Sequence, residues 1–201
     1  HPKRRRAYAL IATASAAPSM SEEAPTALDA LTTVLSGKLK AARNAIGAAT
    51  KIRDLVGGKS ALQNEVVGDL SKEFGKPLET EAADLPLSEL ASKLQGGYSG
   101  PGPYLQAQLA KLVNSSMPGG FPLSGMKGYL AQSGLPPGRI EAVLLWGLSH
   151  NHVPSSRFAS DAEAKRWLDS VAADYVAAKG LTLSAGGALY PSLENPWFRR
   201  C

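Results

Sequence analysis

The chain has 201 residues, a hydrophobic fraction of 44% and a formal net charge of +5. Six of its 22 basic residues lie at the two ends, so the body between residues 7 and 198 has 16 basic and 17 acidic residues. This distribution argues against a nucleic-acid-binding face, and the length suffices for one domain or two small packed units. The single cysteine, Cys201, excludes an internal disulfide framework and suits a reducing compartment, here the cytoplasm.

The first twenty residues superficially resemble a secretory signal, with a basic start followed by a mildly apolar run. The apolar run is diluted by Thr13 and Ser15, and it falls well short of the roughly 20 apolar residues of a membrane span. We therefore interpret residues 1–24 as a linker or the edge of a neighbouring domain, and we expect no membrane association.

The first predicted helix begins at Thr26, with Asp29 three residues later as a typical helix start. Its apolar positions recur at helical spacing and predict one buried face, namely Leu28, Leu31, Val34, Leu35 and Leu39. A long connection with a few apolar anchors follows over residues 43–56. This predicts a surface loop that is pinned to the core by those anchors.

A glycine turn introduces the most informative stretch, residues 57–75. Gly57 and Gly58 permit a tight entry into a helix, and Ser60 followed by Gln63 fits a reciprocal capping box. The helix has an apolar stripe and, about a quarter turn away, an acidic stripe of Glu65, Asp69 and Glu73. Gly75 ends the pattern. The sequence thus predicts an amphipathic helix with Ser60 as its N-cap.

A short helix is predicted over residues 86–94, and these elements suffice for a small up-and-down bundle over residues 25–95. Glycine and proline are dense between residues 96 and 103, which marks the sharpest internal boundary. Further helices are predicted over residues 104–114, 123–133, 139–149 and 160–179, the last opened by a capping box of Ser160 and Glu163. We therefore predict an all-α fold with a structural helical extension over residues 96–180 and a tail over residues 181–201.

Competing sites find little support in the residues. His150 and His152 lie close together, but no cysteine or acidic cluster completes a metal site. The Gly-Gly-Lys-Ser string lacks the first glycine of a P-loop, since Arg53 occupies that position. Ser60 also has no neighbouring histidine that would make it a catalytic nucleophile. An exposed serine at a helix start suits modification better than catalysis, so we expect no enzyme activity from this chain.

The motif around Ser60 resembles that of a known protein family. The chain resembles the acyl carrier domain in the alpha subunit of fungal type I fatty acid synthases through the string DLVGGKSALQNEVVGDLSKEFG, residues 54–75. Four further strings in the same order are similar to that domain: LPLSELASKL, NSSMPGGF, GLPPGRIEAVLL and DAEAKRWLDSVAADY. The resemblance covers most of the chain, from about residue 26 to residue 183. It implies a four-helix acyl-carrier bundle over residues 25–95 that is extended by a second, C-terminal set of structural helices.

The resemblance implies that Ser60 carries a 4'-phosphopantetheine arm derived from coenzyme A, with Gly57, Gly58 and Lys59 as the local motif. The thiol of the arm would hold growing acyl chains as thioesters. The acidic stripe, together with Asp54 and Val66, would dock partner enzymes through weak contacts at a wet rim. A solvated helix face explains the same stripe equally well.

The partners implied by the family are the ketosynthase, ketoreductase, dehydratase, enoyl reductase and acyltransferase domains of the same complex. A phosphopantetheinyl transferase would install the arm. Two alternatives remain open: a carrier domain of a specialised synthase that makes short starters for a polyketide pathway, and a helical interaction module in which Ser60 is only a cap. Glycine-rich residues 125–129 and the basic N-terminal segment depart from the family pattern and favour the first alternative.

Overall fold

The computed structural model describes residues 20–183. Within this range the chain forms eight α-helices, which we number in order: α1 (Ala27–Leu39), α2 (Ile52–Leu55), α3 (Ser60–Phe74), α4 (Leu87–Gln95), α5 (Pro103–Ser116), α6 (Leu123–Gln132), α7 (Pro137–Gly147) and α8 (Asp161–Ala178). Short 3-10 turns lie at Arg43–Ala45 and Thr80–Asp84. Residues 1–19 and 184–201 lie outside this range, and with them Cys201, most of the predicted linker and nearly all of the predicted tail.

The described residues contain no strand, only an isolated bridge between Lys51 and Pro86. The all-α prediction is therefore confirmed. None of the helices within residues 20–183 combines the length and hydrophobicity that a bilayer crossing requires.

The predicted start of α1 is confirmed. The backbone N–H of Asp29 donates to the hydroxyl of Thr26 at 3.1 Å, and the Thr26 N–H donates to the Asp29 carboxylate at 3.0 Å. At α8, the Ser160 hydroxyl accepts from the Glu163 N–H at 3.3 Å, as predicted. The prediction also requires the Glu163 carboxylate to accept from the Ser160 N–H. It accepts instead from the N–H of Ala159, one residue earlier, so this half of the capping box is wrong.

One hydrophobic cluster runs through both halves of the described chain. The helix α1 packs against α3 and α4 within the predicted bundle and also against α7 beyond residue 95, while α3 packs against α5. Four apolar side chains of α7 are buried, as its continuous hydrophobic run predicts: Ile140, Val143, Leu144 and Leu145. The division of the chain at residue 95 stays a prediction.

A buried arginine links these two halves. Arg43 donates to the Thr33 hydroxyl at 2.7 Å and to the Asp29 carboxylate at 3.1 Å, and its guanidinium lies 4.0 Å from the centre of the Trp146 ring. Burial acts to raise the pKa of Asp29, but the hydrogen bond from the Thr26 N–H and the charges of Lys179 and Arg43 hold this pKa below its ordinary value. The ionised carboxylate is therefore the form that the fold stabilises.

The segment that precedes α1 is fixed to the start of α7. Arg139 is buried and donates to the Ser21 carbonyl at 3.0 Å and to the Tyr175 hydroxyl at 2.9 Å, and it pairs with Glu23 at 2.6 Å. The Gly138 N–H donates to the Glu22 carboxylate at 2.6 Å. Residues 21–24, which the sequence assigned to a linker, are therefore part of the folded unit.

We expect Arg43→Met to lower the free energy of unfolding by about 3 kcal/mol, because it removes one partner of a buried ion pair. Arg53→Met is the matched control, since the Arg53–Asp84 pair at 2.8 Å is largely solvated and should contribute no more than about 1 kcal/mol. Urea unfolding followed by circular dichroism measures both variants. Equal losses for the two would contradict the assigned role of Arg43.

Candidate functional site

The turn that precedes α3 is built from two left-handed glycines. Gly57 has φ 61° and Gly58 has φ 72°, a region that other residues rarely adopt. A Cβ atom at either position would meet nothing within 4 Å. Backbone conformation, not crowding, therefore accounts for the glycine pair, and the surface beside this turn is open.

The structure corrects the role of Ser60 in the helix. Lys59 occupies the N-cap position in an extended conformation, Ser60 is the first residue of α3, and no side chain caps this end. The Gln63 N–H donates to the Lys59 carbonyl at 2.9 Å, so the predicted capping box does not form. The reason is that the glycine turn delivers Lys59, one residue earlier than expected, into the extended conformation of a cap.

Ser60 is exposed, and its hydroxyl makes no hydrogen bond to any of residues 20–183. The first N–H groups of a helix have no partner within the helix, and here no side chain replaces one. The start of α3 therefore combines a free hydroxyl with free N–H donors at the positive end of the helix dipole. Such an end favours an anion such as a phosphate group.

The acidic residues of α3 do not form the exposed stripe that the sequence predicts. Glu65 is exposed, but Asp69 is only 6% exposed and Glu73 only 2%. Lys38, near the end of α1, pairs with Glu65 at 2.5 Å and with Asp69 at 2.6 Å. Burial acts to lower the pKa of Lys38, but its hydrogen bonds with Asp69 and Glu65 outweigh this and raise the pKa. These two carboxylates therefore join α3 to α1.

Glu73 joins α3 to α5. Its carboxylate accepts from the N–H groups of Gly102 at 2.6 Å and Leu105 at 2.8 Å and from the Tyr98 hydroxyl at 3.2 Å. Burial raises the pKa of Glu73, while these three donors act in the opposite direction. The side chain thus caps the start of a helix whose N-cap residue, Gly102, lies 29 residues later in the chain, and it is not available to a partner.

Of the other predicted docking residues, Asp54 is exposed and Val66 is fully buried. Val66 belongs to the core stripe of α3, so its assignment to a docking surface is wrong. Asp54 and Glu65 are the two predicted docking residues that solvent reaches, and their role stays a prediction.

Sequence reasoning missed Lys38 and Gly102. Lys38 is a charged residue in the last turn of a helix, which the dipole alone explains, so nothing marks it as the partner of α3. Gly102 precedes Pro103, a pair that is typical of a helix start, but nothing in the pair marks Gly102 as a partner of Glu73. At the predicted histidine pair, His152 lies 3.4 Å from Asp174. No group of three or more His, Cys, Asp or Glu side chains converges within the described range.

A helical bundle that presents an exposed serine in the first turn of an amphipathic helix, behind a glycine turn, has the architecture of a carrier domain. A family model described as "Fatty acid synthase subunit alpha Acyl carrier domain" matches residues 21–183. The chain belongs to this family. Its relatives are parts of fatty acid synthases, multifunctional enzymes, and the family's role is that of a carrier in fatty acid synthesis.

Individual relatives agree with this assignment. The chain is 44% identical over 171 residues to the fatty acid synthase subunit alpha of Schizosaccharomyces pombe, covering 84% of this chain and 9% of the relative. It is 43% identical over 161 residues to that of Saccharomyces cerevisiae, covering 77% and 8%. Fatty acid synthase 2 of Mycosarcoma maydis is 41% identical over 174 residues, with coverage of 86% and 5%. The chain thus spans less than a tenth of the length of these relatives.

The corrected cap assignment makes a prediction about stability. Ser60→Ala should change the free energy of unfolding by less than about 0.5 kcal/mol, because it is an exposed substitution that removes no cap. Thr26→Ala, which removes a true cap, should cost about 1 kcal/mol. Thermal or urea unfolding measures both. A loss at Ser60 as large as that at Thr26 would restore the N-cap assignment and contradict the observed geometry.

Proposed function

We propose that Ser60 is the attachment point of a 4'-phosphopantetheine arm from coenzyme A, and that the chain is a non-catalytic carrier within a fatty acid synthase. The observation that carries this proposal is the exposed Ser60 hydroxyl at the uncapped start of α3. The family assignment gives the carrier role, and the exposure of Ser60 behind the glycine turn supports this residue as the attachment point.

The residues present fit such a group. Ser60 supplies a hydroxyl oxygen with no competing partner among residues 20–183, and the first-turn N–H groups of α3 supply donors for phosphate oxygens. The open space beside Gly57 and Gly58 leaves room for a bulky substituent, and Lys59 is an exposed cation next to the attachment point. When bound, the group supplies a thiol that forms thioesters with acyl chains.

The hydroxyl of Ser60 is unlike that of a catalytic nucleophile. An activated serine hydrogen-bonds a base that a third group orients, whereas no side chain of the described range hydrogen-bonds Ser60. This supports a serine that is modified by another enzyme. A phosphopantetheinyl transferase is the class of enzyme that this modification requires.

The chain's own residues would then position the arm. α3 is held at Glu65 and Asp69 by Lys38 and at Glu73 by the start of α5, so Ser60 is presented from a fixed platform. Tethering an acyl group there raises its effective concentration at each active site in turn. Asp54 and Glu65 are the two predicted docking residues that are exposed and suit weak docking, and a partner cation at Glu65 would share it with Lys38.

The partners that we propose are the catalytic domains of the same complex: ketosynthase, ketoreductase, dehydratase, enoyl reductase and acyltransferases. The relatives are subunits of multidomain fatty acid synthases, which supports this set. A cytoplasmic location stays a prediction from the single cysteine.

Incubation of the chain with coenzyme A and a broad-specificity phosphopantetheinyl transferase should add the mass of one phosphopantetheine group, measured by intact-protein mass spectrometry. Ser60→Ala should abolish the gain. Ser88→Ala is the matched control, since Ser88 is also exposed in the first turn of a helix, α4, and should leave the gain unchanged. No gain in the wild-type chain, or a gain that survives Ser60→Ala, contradicts the proposal.

A further inference from the structure

A cleft of about 530 Å³ lies between α1 and α5, on the other side of Lys38 from the acidic residues of α3. On α5 its lining residues include Tyr104, Gln108, Lys111 and Ser115, which share one helix face at spacings of three and four. The face spans 11 residues and is therefore about 16 Å long at 1.5 Å per residue. The elongated shape suits a segment of polypeptide better than a compact small molecule. We call this cleft the basic groove because three lysines line it: Lys38, Lys40 and Lys111.

The charges of the basic groove are all of one sign. Lys38, Lys40 and Lys111 line it, and none of its lining residues is acidic. Lys38 is neutralised by Glu65 and Asp69. Lys40 and Lys111 are exposed and have no carboxylate within 4 Å among residues 20–183. The groove therefore presents two lysine charges that the described part of the fold leaves unmatched.

The floor of the groove is apolar. Val34, Leu112 and Leu148 contribute buried side chains, and Val153 also lines the groove. Val153 is 45% exposed, the one large hydrophobic side chain that lies exposed within residues 20–183. An apolar floor with a cationic rim is complementary to a segment that carries both aliphatic and acidic side chains.

Two residues at the groove are locally unfavourable for the fold. Lys40 is in the left-handed conformation with φ 51°, the only residue other than glycine with positive φ in the described range, which costs about 1 kcal/mol or more relative to glycine. Gly37 lies within α1, where alanine would stabilise the helix by about 1 kcal/mol, and a Cβ there would meet nothing within 4 Å. Lys40 is the C-cap of α1, which explains its left-handed backbone but not the choice of lysine over glycine. A lysine charge on the rim and an unobstructed groove wall account for Lys40 and Gly37.

We propose that the basic groove docks an acidic, aliphatic segment of a partner protein, with carboxylates on Lys40 and Lys111 and an aliphatic side chain on Val153 and the floor. This surface goes beyond the proposed attachment at Ser60, because it does not require the arm. The groove is basic, whereas the docking surface predicted from the sequence was acidic. Most of those acidic side chains of α3 instead bind other parts of this chain.

The test uses the unmodified chain and a fluorescein-labelled synthetic helical peptide of about 12 residues, with leucine on one face and glutamate on the other. Fluorescence anisotropy at low and moderate salt should show binding to this peptide that is at least about tenfold tighter than to its Glu→Gln analogue and that weakens with salt. Because the arm is absent, this result is independent of whether Ser60 is modified.

Two pairs of variants locate the binding. The double variant Lys40→Gln, Lys111→Gln should weaken binding about tenfold, whereas Lys76→Gln, Lys93→Gln removes the same charge from exposed sites elsewhere and should change it less than about twofold. Gly37→Leu should obstruct the groove and weaken binding at least about tenfold. Gly37→Ala should keep binding and raise the thermal stability, which also shows that substitution at this position leaves the fold intact.

Three results would overturn the proposal. The first is no preference for the glutamate peptide over its glutamine analogue. The second is an equal loss in the two double-lysine variants, which would indicate diffuse attraction of any polyanion, including nucleic acid or an anionic vesicle. The third is unchanged binding in Gly37→Leu.

Discussion

The buried carboxylate of Glu73 is the constraint on which the arrangement of the two halves depends. Two backbone N–H groups and one hydroxyl donate to it, and because a buried carboxylate without such donors is costly, the start of α5 must stay in place. The approach is so close that a Cβ on Gly102 would lie 1.9 Å from the Glu73 carbonyl oxygen. The last turn of α3 and the first turn of α5 are therefore one structural joint, and we expect the two halves to which they belong to open together.

Two buried arginine side chains, Arg43 and Arg139, also connect elements that lie far apart in sequence. Arg43 donates to α1 and lies over the Trp146 ring of α7, and Arg139 of α7 donates to α8 and to the segment before α1. Within α3, the C-terminal end is fixed by the hydrogen bonds of Glu73, whereas the N-terminal end carries no cap. This asymmetry suits a carrier: the helix stays still while the serine at its free end remains accessible to a modifying enzyme.

The local part of this structure was predictable from the sequence, and the long-range part was not. Apolar spacing located every long helix, and Thr26 with Asp29 located a cap, because these signals act within about four residues. The sequence of α3 alone predicts that Asp69 and Glu73 are solvent-exposed, because nothing in this helix reveals their partners. These partners, Lys38 and Gly102, lie about 30 residues away in sequence. Ser60 was singled out correctly as an exposed residue at a helix start, but the position of the cap depends on backbone angles at Gly57 and Gly58 that composition does not determine.

Native-state hydrogen exchange on the wild-type chain and on Glu73→Gln tests the joint between α3 and α5 most directly. Replacing one acceptor oxygen by an amide donor that faces N–H groups should cost about 1–3 kcal/mol. If the two halves open together, core amides of α3, such as those of Val67 and Leu70, should lose the same free energy of opening as those of Leu109 and Leu112 in α5. Loss of protection in α5 alone, with α3 unchanged, would show that α3 is stable without the second half and that the joint does not couple the halves.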